Sequence, residues 1–81
     1  ENIHLQCTLH PNPGDAYVDI VFNETQGNMQ MQMYSLDGRL VRTTYHTGKR
    51  IRIDRAALPA GMYQLLIDTG KGVLTQRMVF K

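Results

Sequence analysis

The residues of this chain with the greatest potential for covalent chemistry are one cysteine and three histidines. A cysteine nucleophile needs a base within hydrogen-bond reach. His4 and His10 lie three positions before and after Cys7, so in an extended strand both imidazoles project to the face opposite the thiol. No sequence pattern places His46 beside that thiol. The spacing therefore predicts no catalytic residue, with Cys7 a half-buried strand residue and the histidines surface residues.

Patterns for metal and nucleic-acid binding are also missing. A structural zinc site uses four ligands at paired cysteine or histidine spacings, which a chain with one cysteine lacks. Asp15, Asp19 and Glu24 do not form the dense alternating acidic loop of a calcium site. Nucleic-acid binding favours aromatic residues interleaved with basic ones, and Tyr45 is the only ring near the arginine-rich part of the chain. The sequence predicts no metal, no cofactor and no nucleic-acid partner.

Length and composition predict one small globular domain over residues 1–81. A chain of 81 residues with 42% hydrophobic residues can form a single core, and such a small domain leaves little room for an enclosed active site. A surplus of basic residues gives a formal net charge of +2, which we interpret as a solvated strand face, with a contact to phosphate, anionic lipid or an acidic partner as the alternative. That surplus lies at Arg39, Arg42, Lys49, Arg50, Arg52 and Arg55.

Targeting segments are not evident in the sequence. No apolar run approaches the ~20 residues of a membrane helix, so no membrane insertion is expected. The chain begins at Glu1 rather than at a methionine, and its first residues are not a basic-then-apolar leader. We therefore expect a piece of a larger exported protein whose leader belongs to an upstream region.

Alternation of apolar and polar side chains with a period of two predicts β-strands. In residues 29–33, three methionines alternate with two glutamines, which places all the methionines on one face of a strand. Residues 17–22 and 49–54 alternate in the same way. The core residues predicted by alternation are Val18, Ile20, Phe22, Met29, Met31, Met33, Ile51, Ile53, Leu65 and Ile67.

Turn-forming residues separate these strands. Asp37 and Gly38 suit the two positive-φ positions of a two-residue hairpin turn. The other predicted breaks are turns at residues 47–48 and 69–72 and a polar loop at residues 24–28. Two prolines within residues 11–14 end the first strand, because proline cannot donate to a sheet ladder.

The predicted strands lie at residues 3–9, 16–22, 28–36, 39–46, 49–54, 61–68 and 72–80. Short strands with turn signals about every 8–12 residues are typical of sandwiches. We therefore predict an all-β fold, an immunoglobulin-like antiparallel β-sandwich of about seven strands, with a small barrel as the alternative. Residues 55–58 are the only helical candidate. Tyr63 follows a Leu-Pro pair and is expected at a tyrosine corner, where its hydroxyl bonds to nearby backbone.

Four motifs occur in order along the chain. The first motif is Leu9, His10, Pro11, Asn12 and Pro13; the second is Met33, Tyr34, Ser35, Leu36, Asp37, Gly38, Arg39, Leu40 and Val41; the third is Leu58, Pro59, Ala60, Gly61, Met62 and Tyr63; the fourth is Arg77, Met78, Val79, Phe80 and Lys81. Together they resemble the type A C-terminal sorting domain of type IX secretion cargo, the Por secretion tail. The resemblance covers nearly the whole chain, and His10 and Cys7 depart from the usual pattern.

The resemblance implies a non-catalytic sorting signal rather than an enzyme. In this family the folded domain is recognised in the periplasm by the type IX outer-membrane translocon, with its shuttle and sortase proteins. It directs a covalently attached upstream cargo domain to the cell surface or the medium. A surface sortase removes the domain, and the cargo is linked to anionic lipopolysaccharide or released. We expect the same partners here, and Cys7 would permit a disulfide dimer.

A folded signal needs an exposed feature that a receptor can recognise, and the last predicted strand has basic residues at both ends. We expect translocon and sortase recognition at Arg77, Met78, Val79, Phe80 and Lys81, through charge or through strand addition at a sheet edge. The other motif residues are expected to serve the fold, namely Pro11, Asn12, Pro13, Asp37, Gly38, Arg39, Leu58, Pro59, Gly61 and Tyr63.

An adhesive or carbohydrate-binding sandwich is the alternative function. Such a module would present exposed aromatic rings as a platform. With Tyr63 in the core, the rings available for a platform are Tyr17, Tyr34 and Tyr45.

Overall fold

The computed structural model describes residues 5–81. Its strands are β1 (Cys7–His10), β2 (Tyr17–Ser35), β3 (Leu40–Asp54), β4 (Gly61–Asp68) and β5 (Val73–Phe80). They form one antiparallel sheet in the order β1-β2-β4-β5, with β3 also paired to β2. No helix occurs within residues 5–81, which confirms the predicted all-β class. The one helical candidate is a turn, in which the Leu58 N–H donates to the Arg55 carbonyl at 3.0 Å.

Two long strands replace four of the predicted short ones. β2 runs through the predicted loop at residues 24–28, and β3 runs through the predicted turn at residues 47–48. The pairing of β2 with β3 shifts register between Val21 and Gln26 and again between Gln26 and Met29. Extra residues of this kind bend a strand without ending its ladder. The described sheet therefore has five strands rather than about seven, and the immunoglobulin-like sandwich is not confirmed.

The bend divides the curled sheet into two halves. In one half, the beginning of β2 lies between β1 and the end of β3. In the other half, the end of β2 lies between the beginning of β3 and β4, and β5 follows β4. Gly48 pairs with Gln26 at the bend and has a φ of 106°, a conformation that favours glycine. The residues predicted to form a turn at 47–48 therefore form a bend inside β3 instead.

One hydrophobic core lies inside the curl. Every residue that alternation predicted for the core is buried, and Tyr63, Met78 and Phe80 join them. The most exposed of these side chains, Tyr63, is only 5% exposed. Full burial of one large apolar side chain contributes about 1.5–3 kcal/mol. This core is therefore the main source of stability in a chain whose one cysteine is free.

The hairpin between β2 and β3 differs in detail from the prediction. Ser35 pairs with Arg39, whose carbonyl accepts the Ser35 N–H at 2.9 Å, so three residues form the loop. The Gly38 N–H donates to the Ser35 carbonyl at 3.0 Å, and Gly38 has a φ of 84°. Asp37 does not adopt a positive φ. The two-residue turn is therefore wrong, and the geometry is that of a three-residue hairpin closed by a glycine bulge.

The predicted turn at residues 69–72 is confirmed. It connects β4 to β5, and the Thr69 N–H donates to the Gly72 carbonyl at 3.0 Å. The Asp68 carboxylate accepts the Gly70 N–H at 2.9 Å, and Gly70 has a φ of 84°. This turn sets the register that places β5 along β4.

Candidate functional site

The last strand, β5, presents its side chains to two environments. Met78 and Phe80 are 0% and 1% exposed and belong to the core. Arg77 and Lys81 are exposed, and Val79 is half-buried on the same side. Of the residues predicted for recognition, two therefore hold the strand in place. Only Arg77, Val79 and Lys81 offer side chains to a partner.

The first motif covers the outer edge at the end of β5. The Val79 N–H donates to the Asn12 side-chain oxygen at 3.0 Å, and the Gly14 N–H donates to the Val79 carbonyl at 2.9 Å. The Lys81 N–H donates to the Gly14 carbonyl at 2.9 Å, completing a short parallel bridge. Residues 11–14 therefore cover the outer edge of β5 at its end, and we call this segment the strap. The sequence predicted these residues only as a strand ending.

Gly14 lies so close to the beginning of β2 that no side chain fits at this position. It is buried, and a Cβ atom at this position would lie 2.3 Å from the Tyr17 carbonyl oxygen and 2.7 Å from a Val18 methyl carbon. Real Cβ atoms do not approach other atoms so closely, so only glycine fits. A glycine directly after the Pro-Asn-Pro triplet was the available sequence signal for the strap.

The outer edge of β5 is open beyond the strap. Val79 directs both its N–H and its carbonyl outward. In an antiparallel ladder the outward-pointing residues alternate along the strand, so Val73, Thr75 and Arg77 also direct their backbone groups outward. Within residues 5–81 these groups have no strand beside them. The edge predicted at residues 77–81 is therefore closed at residues 79–81, and the open part of the edge lies at residues 73–77.

Arg55 was predicted as part of a solvated basic face and instead connects three segments. One of its terminal nitrogens donates to the Lys81 carbonyl at 2.6 Å and to the Asp15 carbonyl at 3.1 Å. Its Nε donates to the Leu58 carbonyl at 3.0 Å. The guanidinium also lies 5.7 Å from the centre of the Phe80 ring. Arg55 therefore fixes the end of the last strand, a role that no short-range pattern indicated.

The predicted tyrosine corner is confirmed. The Tyr63 hydroxyl donates to the Pro59 carbonyl at 2.6 Å. The Tyr63 ring meets the Phe80 ring edge-on, with centres 6.1 Å apart and planes at 69°. The third motif is thereby packed directly against the fourth.

The second and third motifs meet beside this corner. A groove of about 340 Å³ separates the hairpin from the corner. The groove is lined by six of the motif residues that were predicted to serve the fold, namely Asp37, Arg39, Leu58, Pro59, Gly61 and Tyr63. The Ser35 hydroxyl hydrogen-bonds the Asp37 carboxylate, and this bond holds the pKa of Asp37 below its usual value. The hairpin is thus stiffened next to the end of β5.

Two arginines of the basic surplus, Arg50 and Arg52, are paired with a carboxylate rather than only solvated. Asp19 is 3% exposed and accepts two hydrogen bonds from Arg52, at 2.8 and 3.0 Å. Arg50 lies 3.7 Å from the same carboxylate, and the Arg52 guanidinium stacks 3.9 Å above the Tyr17 ring. The hydrogen bond from Arg52, followed by the charge of both arginines, lowers the pKa of Asp19. Asp19 and the two arginines therefore form an intramolecular ion-pair cluster on the face of the sheet opposite the core.

The aromatic rings do not form the platform of the alternative function. Tyr17 lies under Arg52, at the beginning of β2. Tyr34 is half-buried at the other end of that strand, and Tyr45 is 72% exposed on β3. The bend of β2 therefore separates Tyr17 from the other two rings.

Cys7 and His10 lie on β1, and His46 lies on β3. Cys7 is half-buried, as predicted, and burial raises the pKa of its thiol. His10 is exposed, whereas His46 pairs with Met29, is half-buried and has its pKa lowered by burial. The prediction of a surface residue is therefore wrong for His46, and that for His4 lies outside the described residues.

Residues 5–81 contain no candidate site for a metal ion and no candidate transmembrane helix. No three side chains of the histidine, cysteine, aspartate or glutamate type are grouped closely enough to hold a metal ion. Neither do these residues contain a helix of the length and hydropathy needed to cross a membrane.

Comparison with known proteins agrees with the motif pattern. The model of one family, described as the secretion system C-terminal sorting domain, matches residues 8–81. That range contains all four motifs. A search of curated proteins found no match. Domains of this family are sorting signals on proteins exported to the cell surface or the extracellular space. The chain belongs to the family of type IX secretion system C-terminal sorting domains.

Proposed function

We propose that the folded chain is a non-catalytic sorting signal that the type IX outer-membrane translocon recognises in the periplasm. We further propose that the translocon contacts Arg77, Val79 and Lys81. The observation that supports this proposal is the placement of β5. Its exposed residues stand on a platform built by the other three motifs, and Arg55 and the strap fix its end. Two cations, at Arg77 and Lys81, flank the presented segment, so charge is the first means of recognition.

The later steps of the proposal concern the cargo. After translocation, a surface sortase removes the domain, and the upstream cargo is linked to lipopolysaccharide or released into the medium. Shuttle proteins act between translocon and sortase. The support for these steps is family membership over residues 8–81.

The test changes exposed charge without touching the core. Deleting residues 77–81 would remove Met78 and Phe80 from the core, so loss of export would then also follow from unfolding. We instead consider a reporter fused upstream of the chain, carrying the pair Arg77→Ser and Lys81→Ser. The expected result is reporter retained in the periplasm of a host with the type IX system, with an unchanged melting temperature of the isolated domain.

The matched control is the pair Lys49→Ser and Lys71→Ser, which removes the same charge from exposed positions away from the end of β5. This control should reach the surface normally. Surface delivery of the Arg77 and Lys81 variant at the level of the unmodified fusion would contradict the recognition proposal. Equal loss of delivery in both pairs would indicate that net charge, rather than this site, matters.

A further inference from the structure

A second feature of the outer face lies next to the open edge of β5. A groove of about 390 Å³ lies along the end of β2 and β4, and its apolar lining includes Tyr34, Leu36, Met62 and Leu66. Leu36 is 78% exposed at the hairpin and Met62 is 37% exposed. Large apolar side chains around a concave surface mark a binding site more often than an isolated exposed leucine does.

One charge lies in this groove. Arg77 is the only charged residue of its lining, and its side chain is exposed. Within residues 5–81 the ion pairs join Asp19 to Arg50 and Arg52, so Arg77 has no carboxylate partner there. A guanidinium offers a planar set of donors that matches a carboxylate. The groove is therefore mainly apolar, and its one cation, on the edge strand, is complementary to a negative group.

The backbone beside Arg77 favours an extended partner. Val73, Thr75 and Arg77 direct their N–H and carbonyl groups away from β4. An exposed edge of this kind binds a further strand, whose side chains alternate between the two faces of the sheet. The open edge, the unpaired cation and the apolar groove meet at Arg77.

We propose that this surface binds an extended acidic and apolar segment of a partner protein. One half of the segment pairs with β5 at residues 73–77, and its carboxylate contacts Arg77. Beyond Arg77 the segment leaves the edge and crosses the outer face of β5 and β4, where an apolar side chain enters the groove between Leu36 and Met62. This inference rests on the proposed function, since the partner is a component of the export machinery. It adds the chemistry of the segment and a contact surface outside residues 78–81.

The experiment titrates the 81-residue chain with a seven-residue peptide of alternating threonine and leucine that has one central aspartate. Amide chemical shifts report the binding site. We expect saturable binding with a dissociation constant below about 1 mM, and shifts at residues 73–77 and at Leu36. Replacing the peptide aspartate by asparagine should weaken binding about tenfold, and replacing it by lysine should weaken it further.

Variants of the chain locate the two contacts. Arg77→Gln should weaken binding of the aspartate peptide about tenfold but leave the asparagine peptide nearly unchanged. Leu36→Ser should weaken both peptides. The controls are Lys49→Gln and Leu40→Ser, which change an exposed cation and an exposed leucine outside the groove. Each control should bind as the unmodified chain does, with thermal melts confirming that all variants fold.

Three outcomes would overturn the inference. These are absence of saturable binding, equal affinity for the aspartate and lysine peptides, and shifts confined to residues outside 73–77 and the groove. If the peptides fail to bind while the Arg77 and Lys81 variant still blocks export, the inference fails and the proposed function stands. If the peptides bind as expected while that variant exports normally, the proposed function fails and the binding surface remains.

Discussion

Single side chains tie distant segments of this domain together through backbone carbonyl groups. Arg55 donates to the Asp15, Leu58 and Lys81 carbonyls. Between the two ends of β3, the Arg42 guanidinium donates to the Asp54 carbonyl at 2.8 Å. These bonds hold positions that no strand ladder connects. In a small domain with one core, each such bond is a noticeable part of the total stability.

Tyr63 gives the simplest prediction at this scale. Tyr63→Phe removes the hydrogen bond to the Pro59 carbonyl and keeps the ring against Phe80. We expect a loss of about 0.5–1.5 kcal/mol in the free energy of unfolding, seen as a melting temperature lower by several degrees. Tyr45→Phe is the control, because that ring is 72% exposed. An unchanged melt together with lost export would mean that the Tyr63 hydroxyl contacts a partner instead.

Asp19 predicts a dependence of stability on pH. Its pKa is lower in the folded chain, because of the hydrogen bond from Arg52 and then the charge of both arginines. The stabilisation is therefore present above the unfolded pKa of about 3.9 and is lost as the pH falls through the lower folded value. Asp19→Asn should lower the free energy of unfolding at pH 7, and the difference from the unmodified chain should shrink below pH 4.

Denaturant unfolding of both chains at pH 7 and pH 3 checks this prediction. Glu24→Gln, at an exposed position of β2, is the matched control and should leave both free energies nearly unchanged. A difference between Asp19→Asn and the unmodified chain that stays constant across this pH range would contradict the electrostatic explanation.

At the scale of elements, the strap decides how the last strand is presented. It closes the edge of β5 at Val79 and Lys81 and leaves residues 73–77 open. A covered edge resists nonspecific pairing with strands of other molecules, whereas an open edge can pair with a further strand. The same strand thus has a protected end that carries Lys81 and an open stretch that carries Arg77.

Gly14→Ala tests the strap. The added Cβ would meet the Tyr17 backbone and a Val18 methyl group, neither of which can move away easily. We expect a loss of about 1–3 kcal/mol and faster hydrogen exchange at the Lys81 amide, which donates to the Gly14 carbonyl. Gly27→Ala is the matched control, because nothing lies within 4 Å of the added atom. Equal stability and equal Lys81 exchange in the two variants would show that the strap does not depend on Gly14.

Local patterns predicted the strands and the core but not how the strands join. The alternation of Met29, Met31 and Met33 determines which face is buried, because the pattern involves only neighbours in sequence. The segments at 24–28 and 47–48 have turn composition, yet each lies opposite the other in a bulged ladder. Long-range pairing therefore prevailed over local preference there. Likewise, Asn12 bonds Val79 at a separation of 67 residues, which no local pattern predicts.

At the scale of the whole molecule, the four motifs converge on one end of the curled sheet. Gly61 pairs with Phe80, Ser35 pairs with Tyr63, and Gly14 bridges to Phe80. Segments far apart in sequence thereby build a single platform around the end of β5. This convergence gives a physical reason why the motifs occur as a set, since loss of any one would alter how Arg77 and Lys81 are presented.

The most direct test of this account is the surface-delivered fraction of a reporter fused upstream of the chain in a host with the type IX system. We predict delivery by the unmodified chain and by the Lys49→Ser, Lys71→Ser control. We predict retention of a folded Arg77→Ser, Lys81→Ser fusion in the periplasm. Delivery of that fusion at the unmodified level would contradict the central claim that the exposed residues of the last strand are the recognised signal.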